Sequence, residues 1–224
     1  MPHPRPAAPP DALSSTLRAT TGEIHREAEG RPFMRELFAG RLTRDAYADW
    51  LARQWHVYAT LEERLAALPA DEPAARVVPT HLHRRDRLAA DLEHLTDGRW
   101  RPGGPCTPAT RAYVQQIERC DDSAPGLVAH AWLRYLGNVG GRDVLRRLAR
   151  SITGAPEGDD RGLAFTAYDD VDDVRTFFRS FHSSLDALVL APDERERAVA
   201  EATAGFRHNI TLTDELARDH AIAP

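Results

Sequence analysis

The sequence predicts an all-α protein built as a single domain. Apolar residues recur at three- and four-residue spacing along most of the 224-residue chain, which is the period of an amphipathic helix. Stretches in which apolar and polar residues alternate, as they do in strands, are few, and Gly- and Pro-rich segments separate the helical ones. With 42% hydrophobic residues, the chain can form one good core.

Three helices are predicted in the N-terminal half of the chain. Apolar residues recur at helical spacing from Leu13 to Ala28, and the segment EGRP ends this first helix. A second, long helix is expected from Leu42 to Leu68, with Thr43 as its N-cap. The segment HLHRRDRLAADLEHL predicts a third helix over 81–95.

Four further helices are predicted over 108–119, 129–150, 169–188 and 192–220. Thr107 is a suitable N-cap for the first of these, and Pro192 suits the first turn of the last. The helix over 169–188 is acidic at its N-terminal end, which the helix dipole favours.

Composition excludes several classes of protein. A net charge of -5 and a pI of 6.1 argue against a dedicated nucleic-acid binder. The two cysteines, Cys106 and Cys120, do not form a zinc-like or CxxC pattern. No signal peptide and no membrane anchor are recognised, so a cytoplasmic location is expected. We expect a disordered N-terminal arm over residues 1–11 and one domain over 12–220.

The segment AHAWLRYLGNVGGRDVLRRLAR, residues 129–150, combines helical spacing with three glycines, Gly137, Gly140 and Gly141. Each glycine inside a helix costs roughly 1 kcal/mol relative to alanine. Glycine also lets a backbone come close to another group. The segment therefore indicates either close packing of helices or a flat ligand lying against the backbone.

His25 lies on the first predicted helix with charged residues at helical spacing. Glu29 follows it by four positions, and Arg18 precedes it by seven, so all three lie near one face. A carboxylate behind a histidine is the arrangement that orients an imidazole as a metal ligand. A structural histidine beside a solvated glutamate gives the same pattern, so both interpretations stay open.

A second basic pair, Arg175 and Arg179, lies beside an apolar stripe on the sixth predicted helix. Paired arginines next to an apolar face suit a largely apolar ligand with carboxylates at its edge. A solvated surface pair facing the acidic run at 169–173 is the alternative.

Several collinear segments resemble the haem oxygenase family, over roughly residues 13–218. They are LRATTGEIHREAEGRPFMRELFAGRLTRDAY, WHVYATLEERL, LVAHAWLRYLGNVGGRDVL, GLAF, FFRSFHSSLDAL and GFRHNI. The resemblance implies an all-α haem oxygenase-like fold, with haem b between a proximal helix and a kinked distal helix. It also implies that haem is both substrate and cofactor, that O₂ is consumed, and that a ferredoxin or flavoprotein reductase is the external electron donor.

The resemblance further implies roles for particular residues. His25 matches the proximal iron ligand and Glu29 the carboxylate behind it. Basic residues that hold the haem propionates match Arg18, Arg175 and Arg179. Trp132 matches an aromatic residue beside a propionate, and Phe206 matches an apolar wall. The distal hydrogen-bond network and the backbone close to the porphyrin match Tyr58, Arg134, Asn209, Gly137 and Gly141.

The distal motif departs from the family pattern, which reads Gly-Asp-Leu-Ser-Gly-Gly-Gln. Here Asn138 follows Gly137 where the family has aspartate, and Arg142 takes the place of the second glycine of the pair. An amide offers donors and one acceptor but no titratable proton. Arg142 turned inward would place a charge at the site, whereas turned outward it would be solvated.

These observations leave three functions open, with Asn138 and Arg142 among the candidate catalytic residues. The first is haem oxygenase, which cleaves haem to biliverdin, carbon monoxide and ferrous iron. The second is a haem-retaining oxygenase or peroxidase-like enzyme acting on another small molecule, and the third is a haem carrier or sensor. A di-iron oxidase would need inward carboxylates and a Glu-x-x-His motif, which the sequence lacks.

Overall fold

The computed structural model describes residues 12–120 and 124–223, so the predicted arm over 1–11 lies outside the described residues. Within them the protein folds as helices joined by loops, with no strand. The α-helices are α1 (Leu13–Glu29), α2 (Pro32–Phe38), α3 (Arg44–Ala66), α4 (Arg85–Leu95), α5 (Pro108–Glu118), α6 (Pro125–Thr153), α7 (Val174–Asp186) and α8 (Pro192–Asp219). Short 3-10 helices cover Pro73–Arg76, Thr80–Leu82 and Ala164–Thr166.

Local sequence signals predict several helix boundaries correctly. The Thr43 hydroxyl accepts a hydrogen bond from the backbone N–H of Ala46 and caps α3, as predicted. Pro192 occupies the first turn of α8. The glycine-containing segment is a continuous helix that extends beyond 129–150 to cover Pro125–Thr153. Whether this helix is kinked stays a prediction.

Other boundaries were wrong. The short helix α2, which begins at Pro32, was not predicted. The helix expected over 81–95 begins only at Arg85, because a 3-10 turn precedes it. The helix expected from 169 begins at Val174, where the Asp173 carboxylate accepts two backbone N–H groups and fixes the start. Thr107 stands at the N-cap of α5, but its side chain makes no capping hydrogen bond.

Helix α8 organises the fold because it packs against α1, α5 and α6. Its small residues Ala198, Ala202 and Gly205 are buried along the contact. A Cβ on Gly205 would lie 3.0 Å from Nδ1 of His130 and 3.2 Å from the hydroxyl oxygen of Tyr113. Glycine at this position therefore sets how closely α8 approaches α6 and α5.

Buried polar groups join elements that are far apart in sequence. The Glu62 carboxylate on α3 accepts hydrogen bonds from the Tyr135 hydroxyl at 2.8 Å and the backbone N–H of Arg85 at 3.2 Å. Asp91 on α4 accepts the backbone N–H groups of Ala164 and Phe165, each at 2.7 Å. These bonds fix the 3-10 helix Ala164–Thr166, from which Phe165 packs against Tyr58.

Helices α1 and α7 are joined at one end. The Asp186 carboxylate, at the end of α7, accepts the backbone N–H and the hydroxyl of Ser14 through its two oxygens, each at 2.8 Å. Ser14 lies in the first turn of α1 and is buried. The start of the first helix is therefore held at the end of the seventh.

A search of the helices in the described part of the chain finds none that is both long and apolar enough to cross a membrane.

Replacing Asp91 tests the role of this buried carboxyl group. Burial raises the pKa of Asp91 from 3.8 to about 6, so the folded state holds the proton more tightly than the unfolded state. Its contribution to stability is present below about pH 4 and is lost as the pH rises through about 6, by up to about 1.4 kcal/mol per pH unit.

We therefore expect the free energy of unfolding of the wild type to fall relative to that of Asp91→Asn between pH 4 and pH 7, because asparagine does not titrate. Urea unfolding at several pH values measures it, and the groups that the two chains share cancel. A difference that stays constant over this range would show that Asp91 does not titrate as described.

Candidate functional site

The side chains of His25, Glu29 and Phe206 form one group where α1 meets α8. The His25 ring lies edge-on to the Phe206 ring, with the centroids 5.3 Å apart. Nε2 of His25 is 3.6 Å from a carboxylate oxygen of Glu29, one helical turn later. Because both side chains are about half exposed, at 50% and 52%, the imidazole is accessible to a ligand.

A hydrogen-bonded network connects α3, α6 and α8. The Asn138 side-chain N–H donates to the Tyr58 hydroxyl oxygen at 2.7 Å, and that hydroxyl donates to the backbone carbonyl of Arg134 at 3.2 Å. Nη1 of Arg134 donates to the side-chain oxygen Oδ1 of Asn209 at 3.3 Å. The structure therefore brings four of the predicted site residues together, although they span 152 positions from Tyr58 to Asn209 in sequence.

The protonation states in this network follow from burial. Burial raises the pKa of Tyr58 well above its usual range, so its phenol keeps its proton. Burial also raises the pKa of Tyr168 to about 12, although the nearby Asn138 side chain partly opposes the rise. Neither phenol ionises near neutral pH, so both can donate a hydrogen bond there.

The Arg134 guanidinium is buried against aromatic rings. Its central carbon lies 5.0 Å from the centroid of the Tyr113 ring and 5.7 Å from that of Tyr58. Within residues 12–120 and 124–223, its Nε and Nη2 groups lack a hydrogen-bond partner, as does Nε1 of Trp132. Three buried donors on α6 thus have no acceptor among the described residues and are available to a ligand or a water.

The three glycines of α6 have different surroundings. A Cβ on Gly137 would meet no atom within 4 Å, and one on Gly141 would meet only Leu145 at 3.6 Å. A Cβ on Gly140 would lie 3.1 Å from the ring of Phe178 on α7. Gly140 therefore serves helix packing, whereas Gly137 and Gly141 leave open space beside the backbone.

Arg142 turns toward the loop that precedes α7. Its guanidinium donates to the backbone carbonyl of Val171 at 2.6 Å and lies 3.7 Å from the Asp143 carboxylate. These contacts leave the Arg142 side chain mostly buried, at 17% exposure, and whether it acts on a bound ligand stays a prediction.

The predicted anion-holding residues are exposed. Arg18 lies on α1, and Arg175 and Arg179 lie one turn apart on α7. Because α1 packs against α7, both elements border the same part of the fold.

Two cavities in the described part of the chain lie away from these residues. One, of about 330 Å³, lies between α3 and the loop over 99–107. The other, of about 490 Å³, lies between α4 and the segment over 160–164. Neither is lined by a predicted site residue.

Sequence reasoning missed two residues that contact the network. Tyr113 holds the Arg134 guanidinium over its ring, and Tyr168 lies near Asn138. A buried tyrosine on an amphipathic helix resembles any core residue, so Tyr113 carried no signal. Tyr168 follows the segment GLAF, which was recognised, but nothing local indicated where its hydroxyl would lie.

Comparison with known proteins identifies the family of this chain. The sequence profile described as “Heme oxygenase” matches residues 11–215. The chain belongs to the haem oxygenase family. It is 34% identical over 218 residues to “Heme oxygenase 1” of Homo sapiens, covering 96% of this chain and 75% of that protein. It is 32% identical over 207 residues to “Heme oxygenase” of Porphyra purpurea, covering 92% and 86%.

Solved haem oxygenase structures share the fold. Heme oxygenase-1 from the cyanobacterium Synechocystis, crystallised in complex with heme, superposes with a TM-score of 0.85 at 27% identity, over 94% of each chain. Heme oxygenase from Leptospira interrogans gives 0.83 at 30% identity, over 91% of this chain and 99% of that one. The predicted all-α haem oxygenase-like fold is confirmed.

Two alanine substitutions separate the roles of the glycines in this haem oxygenase family member. Gly137→Ala should raise the free energy of unfolding by about 0.5–1 kcal/mol, because alanine favours helix and its Cβ meets open space. Gly140→Ala should gain less or nothing, because its Cβ presses on Phe178. Urea unfolding of the purified chains measures both, and equal gains would rule out a packing constraint at Gly140.

Proposed function

We propose that this protein is a haem oxygenase that cleaves haem to biliverdin, carbon monoxide and ferrous iron, with His25 as the proximal ligand. The observation that carries the proposal is the accessible His25 imidazole on α1, with Glu29 beside it and Phe206 against its ring. Membership of the family and the likeness to a heme-bound structure support it.

The residues present fit a porphyrin. Helices α1 and α6 both pack on α8 rather than extensively on each other, and α6 carries the open backbone at Gly137 and Gly141. The unpartnered donors of Arg134 and Trp132 suit a ligand or water that offers acceptors. An imidazole on one helix and a side-chain-free backbone on another match the needs of a flat, metal-containing ligand.

Charged residues would orient the haem. We assign Arg18, Arg175 and Arg179 to the propionate carboxylates, because exposed guanidinium groups can bind carboxylates while remaining at the protein surface. Glu29 would accept a hydrogen bond from the ring nitrogen of His25 that does not bind iron, which fixes the imidazole plane. The present contact involves Nε2, so either Nδ1 is the iron ligand or the ring turns over.

On the distal side, the protein's own residues would position solvent and protons. When bound, haem would supply the iron that activates O₂ and the porphyrin that is opened. Asn138 would donate to a water or to Tyr58, and the Tyr58 phenol keeps its proton for hydrogen bonding. Arg134, anchored by Asn209, would hold a water through its remaining N–H groups.

The reaction also needs O₂ and electrons from outside the protein. We propose a ferredoxin or a flavoprotein reductase as the donor, docking beside the exposed arginines, where a positive surface would attract an acidic partner. The cytoplasmic location stays a prediction.

Substitution of His25 tests the proximal ligand. His25→Ala should weaken haem binding at least tenfold and remove the Soret band typical of imidazole ligation, because the alanine cannot bind iron. Haem titration of the purified protein measures both, and added imidazole should restore the spectrum. His81→Ala, which removes an exposed histidine, is the matched control. An unchanged spectrum in His25→Ala would exclude His25 as the ligand.

Turnover under air tests haem cleavage. With a reductase and reductant, the haem-loaded protein should lose its Soret band and release biliverdin, identified by chromatography. Asn138→Asp should speed this loss by about tenfold or more, because a carboxylate can relay protons and the amide cannot. Asn138→Ala, which removes the amide without adding an acid, should not. If the two variants behave alike, proton relay at this position is not limiting.

One observation favours a second candidate, a haem-retaining oxygenase or peroxidase-like enzyme. Asn138 donates a hydrogen bond from its amide N–H to Tyr58, at the position where the family motif has a titratable aspartate. If haem survives the turnover experiment while an added small molecule is oxidised, this candidate replaces haem cleavage.

A further inference from the structure

A mixed cluster of side chains that can bind metal lies where α6 meets α8, one helical turn before Arg134 on α6. Cys120 follows the end of α5, His130 lies on α6, and Glu201 lies on α8. One ligand atom from each of the three lies within 4.8 Å of the other two. The haem site proposed above uses none of these residues.

The cluster is close-packed. His130 is fully buried, and Nε2 of its ring is 3.1 Å from Oε2 of Glu201. A Cβ on Gly126 would lie 2.8 Å from Sγ of Cys120 and 3.3 Å from Cγ of Glu201. The missing side chain at Gly126 therefore lets the thiol and the carboxylate share one small space.

A polar atom in the cluster is also unsatisfied. Within the residues that the structure describes, Nδ1 of His130 has no hydrogen-bond partner although it is buried. Because an ionised carboxylate only accepts, Nε2 of His130 donates to Glu201 in the present contact and Nδ1 is the unprotonated nitrogen. A metal ion that binds Nε2 in place of this contact would move the proton to Nδ1. Gln116 donates to both oxygens of Glu201, at 2.9 and 2.8 Å, and orients this carboxylate.

We propose that Cys120, His130 and Glu201 bind one Zn²⁺ ion. Thiolate, imidazole and carboxylate are the ligands that zinc prefers, and the two anionic ligands would neutralise the ion. Zinc bond lengths of about 2.0–2.3 Å place tetrahedral ligand atoms roughly 3.3–3.6 Å apart. The nitrogen and oxygen are already 3.1 Å apart, and all three ligand atoms lie within 4.8 Å of one another, so side-chain movements of about 1 Å would give tetrahedral spacing.

The ion would have an open fourth position for solvent. The Glu201 side chain is 24% exposed, whereas His130 is at 0%, so the site opens to solvent at the carboxylate. Binding there ties the end of α5 to α6 and α8, three elements that hold Tyr113, Arg134 and Asn209.

Cobalt substitution tests the site because Co²⁺ bound to a thiolate absorbs in the near ultraviolet. The reduced, metal-free full-length protein should bind one Co²⁺ with a thiolate-to-cobalt band, and Zn²⁺ should displace it. Cys120→Ser should abolish this band and weaken Zn²⁺ binding at least tenfold. Cys106→Ser is the matched control and should bind like the wild type, because Cys106 lies outside the cluster.

Two further measurements test the zinc site without relying on the Cys120→Ser variant. Glu201→Gln keeps an acceptor for Gln116 and should weaken Zn²⁺ binding about tenfold. In the wild type, Zn²⁺ should protect one of the two thiols from a thiol-reactive disulfide and raise the Tm.

The chain contains ten histidines, which can bind metal weakly at the surface without a thiolate band. The absence of that band, or unchanged reactivity of both thiols with Zn²⁺, would overturn the proposal and leave a purely hydrogen-bonded cluster.

Discussion

The close approach of α8 to α6 is the constraint on which the rest of the structure depends. Gly205 permits it, because a Cβ there would meet His130 and Tyr113 at 3.0–3.3 Å. Phe206, the next residue, packs against His25 on α1, and Asn209, one turn later, accepts a hydrogen bond from Arg134 on α6. A single helix thereby sets the position of His25 on α1 relative to Arg134 on α6. A side chain at Gly205 would change both distances at once.

Much of the fold was predictable from local sequence, since periodicity and end signals act over a few residues. Thr43 and Pro192 marked helix starts because capping hydrogen bonds and fixed φ angles are local properties. The short helix α2 was missed because EGRP looks like a helix end, although Pro32 within it also starts a helix. The third helix was placed too early because periodicity does not distinguish a 3-10 turn from an α-helix.

The buried polar groups could not be predicted, because their partners are distant in sequence. Glu62 meets Tyr135 across 73 positions, and Asp91 meets Phe165 across 74. The candidate site likewise has a part that the sequence predicts and a part that it does not. The family motifs identified the candidate residues, and the spacing of His25 and Glu29 is visible in local sequence. The turn of Arg142 toward Val171 and the ring of Tyr113 under Arg134 are products of tertiary packing. The spacing of the cysteines shows no zinc-like pattern, yet His130 and Glu201 lie beside Cys120 in the fold.

The attachment of Ser14 to Asp186 has a geometric consequence for α1. Both carboxylate oxygens are engaged there, so the start of α1 cannot slide along α7 without breaking two bonds. His25 lies eleven residues further along, about 16 Å from this anchor. Any widening of the gap between α1 and α7 must therefore occur as a pivot about the anchored end. A swing of about 5° moves the histidine by roughly 1.4 Å over that lever arm, so a small angular change at the anchored end becomes an atomic-scale displacement at His25.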